Sequence, residues 1–232
     1  MAFLGDSITD KNNVSSKLYW QYLAEMLGFE PSVYGISGHQ WSHIPSQIKR
    51  MKSDGIDPDA IMIFVGTNDY NANVALGEWF SHDTLTVNVN GTMVERKHRT
   101  HNHDDSTLCG RINNVIKSLK SDYPEAQIIL ITPLHRAFAT FGSRNVQPDE
   151  SYANELGLFI DDYVAVIREA SSIWSLPMID LFAESGIVPS LESNSQYITN
   201  TERDRLHPNA AGHKRMAEVM YYALLAMPAT FK

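Results

Sequence analysis

At 232 residues, 43% hydrophobic and 20% charged, the chain is long and apolar enough for a sizeable core, and its composition excludes a disordered polypeptide. Nineteen basic against 27 acidic residues leave a net charge of −8, which argues against a nucleic-acid backbone or an anionic membrane surface as the principal partner. Cys109 is the only cysteine, so no intramolecular disulfide can form and the redox compartment stays open. No apolar run approaches the roughly 20 residues needed to span a bilayer. No signal peptide precedes the first strand, and a chain that starts four residues before its most consequential turn is expected to have lost N-terminal residues, a targeting segment among them.

Met1-Ala2-Phe3-Leu4 reads as a buried strand that stops at Gly5-Asp6-Ser7-Ile8-Thr9-Asp10, where turn formers crowd together and lift Ser7 into reach of a ligand. A Gly-Asp-Ser turn alone is equally a plain strand-to-loop connection. Helical spacing of Leu18, Tyr19, Tyr22, Leu23, Met26 and Leu27 predicts a helix from about residue 15, capped by Ser15 or Ser16 and stopped by Gly28. Residues 31–34 form a second short strand that ends in Gly35-Ile36-Ser37-Gly38, and a modest helix covers about 44–52.

Ala60-Ile61-Met62-Ile63-Phe64-Val65 has no polar face, as expected of a parallel strand covered by helices on both sides. It runs into Gly66-Thr67-Asn68-Asp69. In open α/β sheets ligands lie beyond the carboxyl ends of the strands, so the three strand-end turns are expected to meet in one crevice.

Residues 85–89 and 92–96 alternate in period two around Asn90-Gly91 and predict a β-hairpin, an insertion spanning about 84–104. A helix follows at about 107–123, a fourth strand at 127–131, a long irregular loop at 134–150, a helix at about 151–172 and a fifth strand at 178–181. The last helix is expected over about 208–225 with Pro208 at its first position. The whole reads as one α/β domain, residues 1–232, around a five-stranded, mainly parallel sheet.

Just before that helix stands Asp204-Arg205-Leu206-His207-Pro208-Asn209. Proline pushes the residue before it out of helical conformation, so His207 projects, and an aspartate three residues earlier can accept its Nδ1 proton. Nε2 is then free to activate a serine, whose hydroxyl is a weak nucleophile at neutral pH. A His-Pro step before a helix also has a purely structural reading, but strand-end serine, glycine and asparagine together with Asp-x-x-His supply nucleophile, oxyanion donors, base and orienter.

Gly5-Asp6-Ser7-Ile8-Thr9, Tyr34-Gly35-Ile36-Ser37-Gly38, Gly66-Thr67-Asn68-Asp69 and Asp204-Arg205-Leu206-His207-Pro208 resemble, in order, the four sequence blocks of the SGNH (GDSL) hydrolase family. The resemblance implies a three-layer α/β/α flavodoxin-like fold and esterase or acylhydrolase activity with neither metal nor other cofactor. It casts Ser7 as nucleophile, His207 as base and Asp204 as its partner, with an oxyanion hole from the backbone N–H groups of Ser7 and Gly35 and the side-chain amide of Asn68. The expected substrate is a small-molecule or carbohydrate ester, with no nucleic-acid partner and no membrane insertion. Val33 departs from the family, many members of which carry Asn two residues before the second-block glycine.

Gly35-Ile36-Ser37-Gly38-His39 nearly matches the Gly-x-Ser-x-Gly elbow, but its fifth residue is His and Ser37 is read as a turn residue. His98, His101 and His103 with Asp104 and Asp105 carry metal-ligand chemistry, which would make a metal-dependent hydrolase, yet no ligand spacing on a regular element unites them and a solvated loop is favoured. Trp41, Tyr70, Trp79 and Phe80 are candidates for stacking on a sugar or acyl group or for the core; Trp20 and Trp174 are assigned to the core. A second class of function, a non-catalytic glycan-binding module, would leave four intact catalytic-type residues without a purpose. His135, Arg136, His39 and His43 stand outside the catalytic set, Arg136 as a surface charge.

Overall fold

The computed structural model describes residues 1–227. Strand β1 (Ala2–Gly5) is wholly buried, and helix α1 (Tyr19–Leu27) ends at Gly28, whose φ of 72° is the left-handed conformation that glycine adopts without penalty. Helix α1 starts four residues later than the serines predict. Ser15 spends its N–H on Asn13 Oδ1 and its hydroxyl on the Lys17 carbonyl, closing a local turn instead of a cap, and Gln21 Oε1 takes the Leu18 N–H at the true start.

Strand β2 (Ser32–Val33), helix α2 (Ile44–Ser53) and strand β3 (Ala60–Phe64) follow as expected from the sequence, and the turn expected at 66–69 continues into a single-turn helix, α3 (Thr67–Asn71). The hairpin strands β4 (Phe80–Val89) and β5 (Thr92–His101) are twice as long as the alternating pattern indicates. Next come α4 (Leu108–Asp122) and β6 (Gln127–Ile131).

The expected loop at 134–150 contains β7 (Ala139–Gly142) and β8 (Asn145–Gln147). Helix α5 (Ile160–Trp174) begins nine residues after the predicted start, because Asn154 Oδ1 accepts the N–H groups of Leu156 and Leu158 and its amide donates to Tyr70 O and Tyr163 Oη, folding this stretch into turns. Strand β9 (Met178–Ile179) and the short α6 (Leu181–Glu184) lead to β10 (Ile198–Asn200), β11 (Asp204–Pro208) and α7 (Ala210–Ala226). Pro208 closes β11 rather than opening the last helix; Asn209 is its cap, with Oδ1 accepting from Ala211 and Gly212 N–H.

The central sheet has the order β2-β1-β3-β6-β9 with every neighbour parallel. Period two along β3 sends Ile61, Ile63 and Val65 into the core under α2, α4 and α5, and Ala60, Met62 and Phe64 into the core under α1 and α7. This is the three-layer α/β/α arrangement. A second sheet, β10-β11-β7-β8, is antiparallel and lies outside the central one.

Candidate active site

The turn after β1 is locked from several sides. Gly5 has its N–H on Gln47 Oε1 (2.9 Å) and its carbonyl under Gln47 Nε2 (2.7 Å), so one buried side chain from α2 grips both faces of the strand end. Asp6 Oδ1 caps the Ile8 N–H, and Asn13 Nδ2 donates to the Ser7 carbonyl at 2.6 Å. Ser37 N–H donates to Asp10 Oδ2, joining the first turn to the second. At Gly35 any Cβ would sit 2.6 Å from Thr9 Cβ, so only glycine lets these two segments touch.

Ser7 and His207, 200 residues apart, meet at 2.8 Å between Oγ and Nε2. On the far side of the ring, Nδ1 lies 2.8 Å from Asp204 Oδ2 and 3.1 Å from Oδ1. A carboxylate only accepts, so the ring proton is on Nδ1 and Nε2 faces the serine hydroxyl as an acceptor. Asp204 Oδ1 also takes the backbone N–H of Leu206 and His207, which bends β11 so that residues 204 and 207 reach the same point. Burial alone would push the Asp204 carboxyl up; the ring hydrogen bond, the His207 charge and the two backbone donors outweigh it, and the net position is below the ordinary value.

Asn68 lies on α3 and donates one amide hydrogen to the His39 carbonyl at 3.0 Å. Among the described residues, the backbone N–H groups of Ser7 and Gly35 have no protein acceptor. Asp69, fully buried, ties the third turn to the second by accepting Trp41 N–H and an Arg111 N–H; burial pushes its carboxyl up to about 6 despite those donors. Asp6 is likewise raised to about 7 by burial.

The Ser7–His207–Asp204 chain opens into a cleft of about 200 Å³ lined by Asp10, Asn12, Asn13, Val14, Ser37 and Phe141. Phe141, on β7, sits edge-on to the His207 ring at 5.4 Å between centroids.

Trp41, Tyr70 and Trp79 are buried in the core and do not line the cleft; Phe80 packs against the same core. Trp20 and Trp174 are half-buried, with indole N–H groups on Thr9 O and Asn113 Oδ1. His98 and His101 belong to strand β5 rather than a loop. His98 pairs with Asp83, His101 lies against Trp174 and His103 against Asn114; no group of three or more His, Cys, Asp or Glu converges among the described residues.

Arg136 is a correction. It is 1% exposed, not a surface charge, and its guanidinium donates to Thr67 Oγ1 (3.1 Å), Asn71 Oδ1 (2.7 Å) and Gln147 Oε1 (2.8 Å), tying α3 to β8. Burial pulls its pKa down to about 10. No pattern in residues 134–150 signals this. Gln47, also missed, left a trace: a polar residue on the apolar stripe Ile44, Ile48, Met51 of α2.

The sequence matches the profile of the GDSL-like Lipase/Acylhydrolase family over residues 3–215. The chain belongs to this family. It is a hydrolase acting on ester bonds. Among solved structures, a protein from Lactobacillus plantarum is 25% identical, with a TM-score of 0.77 and 98% of this chain covered against 97% of that one. A possible lipase from Chitinophaga pinensis is 19% identical, with a TM-score of 0.73 and 97% of each chain covered. An acetyl xylan esterase is 22% identical, with a TM-score of 0.59, covering 97% of this chain and all of that one. No curated protein matches the chain. Within the family pattern, the Val33 departure falls at the end of β2, where the side chain is buried, and the second turn takes its support from Asp10 and Thr9.

Proposed function

We propose that this GDSL-family hydrolase is a serine esterase that removes a short acyl group, acetyl being the smallest, from a hydroxyl-rich alcohol such as a carbohydrate. The observation that carries the reading is the unbroken hydrogen-bond chain from Ser7 Oγ through His207 to Asp204, open to a small cleft. Ser7 Oγ attacks the ester carbonyl as its proton passes to His207 Nε2. The oxyanion receives the N–H groups of Ser7 and Gly35 and the second amide hydrogen of Asn68, whose direction is fixed because the first is held by His39. Collapse expels the alcohol, which takes the proton from His207. Water, deprotonated by the same imidazole, then cleaves the acyl-enzyme. Asp204 keeps the ring in the useful tautomer and steadies the imidazolium.

The substrate class rests on the cleft. Asp10, Asn12, Asn13 and Ser37 offer hydrogen bonds to alcohol hydroxyls, and of the side chains lining the cleft beside the triad only Val14 and Phe141 are apolar, which leaves a long acyl chain little surface to lie on. The test is labelling by a fluorophosphonate with the adduct mapped by peptide mass spectrometry, followed by turnover on acetyl and octanoyl esters and acetylated oligosaccharides. One adduct on Ser7, lost in Ser7→Ala together with turnover, is expected. Full turnover in Ser7→Ala would refute the mechanism, and preference for octanoyl esters would refute the substrate class.

A further inference from the structure

Strands β4 and β5 form a two-stranded sheet of their own, paired over ten residues on each strand, about 34 Å at 3.4 Å per residue. Its root is anchored: His101 lies 4.3 Å from the Trp174 ring and 5.0 Å from Phe80. Beyond the root nearly every residue is exposed. A lone hairpin of this kind is marginally stable in water. Near the tip Leu85, Val87 and Val89 share one face with Val94, which lies opposite Val87, and the first three are 47%, 44% and 42% exposed.

The two free edges differ. Strand β5 carries Glu95, Arg96, Lys97 and Arg99, whereas β4 has no charge from Thr84 to Val89. Positive φ at Asn90 (52°) and Gly91 (85°) makes the connection a two-residue type I′ turn, in which the flanking pair Val89–Thr92 is hydrogen-bonded. Alternation then turns the backbone groups of Leu85, Val87 and Val89 inward to β5 and leaves those of Thr84, Thr86 and Asn88 pointing out of the free edge.

We propose that this edge of β4 pairs antiparallel with the same edge of a second copy of the chain, about a two-fold axis at Val87. In that register Val87 meets Val87 of the second copy, Leu85 meets Val89, and Thr86 exchanges backbone hydrogen bonds with Asn88. Moving the axis to Thr86 sets Asp83 against Val89, and moving it to Leu85 sets Asp83 against Val87. With the axis at Val87, Asp83 falls opposite Gly91, and Leu85, Val87 and Val89 each meet an apolar side chain. A two-fold pairing through β5 about Lys97 or His98 would instead set Lys97 against itself or against Arg99.

The resulting four-stranded sheet has charged β5 strands on both outer edges, so the pairing closes at two copies instead of propagating. The two Phe80 roots stand about 48 Å apart along the strands. That is several times the Debye length of about 8 Å, so two bodies of net charge −8 do not repel across it.

The test is site-specific crosslinking with light scattering. Cys109 is buried, so Val87→Cys supplies the only exposed thiol. Opposed residues in a non-hydrogen-bonded pair have Cα atoms about 4.5 Å apart, within disulfide range, and mild oxidation is expected to give a covalent dimer. Thr84→Cys is the register control: its thiols would be about 20 Å apart and should stay free. Wild-type protein is expected to show twice the chain mass. Thr86→Pro, which removes an outward N–H without touching the hairpin's own ladder, is expected to halve it. A wild type that is monomeric at sub-millimolar concentration overturns the proposal. So does a dimer that survives Thr86→Pro, or one that crosslinks through Thr84→Cys and not through Val87→Cys, a readout that stands even if the proline perturbs the hairpin.

Discussion

Replacing Asp204 by Asn tests the proposed mechanism at its least forgiving atom. In the native site the two carboxylate oxygens divide their work: Oδ2 faces the His207 ring at 2.8 Å, and Oδ1 holds the backbone N–H groups of His207 and Leu206 at 3.0 and 3.2 Å. Asparagine has one acceptor oxygen. Two backbone donors outbid one ring donor for it, so the new NH₂ group turns to Nδ1. The ring must then accept there and carry its proton on Nε2, where it can no longer take the Ser7 proton. A wrong-tautomer histidine in a serine hydrolase costs on the order of 10⁴ in kcat, or about 5 kcal/mol of barrier. Steady-state hydrolysis of a nitrophenyl acetate is expected to show that loss in kcat, with KM changed far less because Asp204 acts through the His207 ring. Stability carries a second signature. The Asp204 carboxyl lies below its ordinary value, so its contribution is complete above about pH 4 and fades as pH falls through the folded-state pKa; the gap between wild type and variant in urea unfolding should shrink below that pH. Retention of a tenth of wild-type kcat would refute the tautomer argument.

Asp6 gives the opposite sign. Its carboxyl is raised to about 7 by burial, so between about pH 4 and 7 the folded chain binds a proton that the unfolded chain has released, and stability falls with rising pH by up to about 1.4 kcal/mol per unit. Asp6→Asn can still accept the Ile8 N–H, and its stability advantage over wild type in urea unfolding should grow across that window; a constant difference would contradict the assignment. Gly35→Ala puts a methyl 2.6 Å from Thr9 Cβ and is expected to cost about 1–3 kcal/mol of stability, with a larger loss in kcat than in KM, measured by thermal melting and steady-state kinetics. Arg136→Met leaves Thr67 Oγ1 and Asn71 Oδ1 without their buried donor at about 1–3 kcal/mol per unsatisfied group, while Gln147 Oε1 keeps the Asn71 amide, and it loosens α3, which carries Asn68. A lowered urea midpoint with reduced kcat is expected, and Arg136→Lys should restore part of both.

Local chemistry in the chain was sufficient for the central sheet and for nominating candidate site residues. Apolar runs such as 60–64 and 127–131 are strands wherever both faces are covered, Asn90-Gly91 dictates its own turn, and Gly28 stops its helix by backbone sterics alone. The four motif blocks nominate Ser7, Gly35, Asn68, Asp204 and His207 by residue type and order along the chain, properties visible without knowing what lies opposite. The second sheet had no such signature. Strands β7 and β8 pair locally, as do β10 and β11, but the two pairs are joined by Asp204 opposite Ala139, partners far apart in the chain, and no periodicity encodes that pairing. The late starts of α1 and α5 have a local origin, since the Ser15 and Asn154 side chains bond backbone groups two to four residues on in competition with helix formation. Burial of Arg136 depends on three neutral acceptors delivered by α3 and β8, and the 2.8 Å contact of Ser7 with His207 on the curvature of β11. Sequence alone determines which groups have the chemistry; only the packed chain decides which of them meet, because meeting is set by long-range pairing whose energy is spread over many residues and written at none of them.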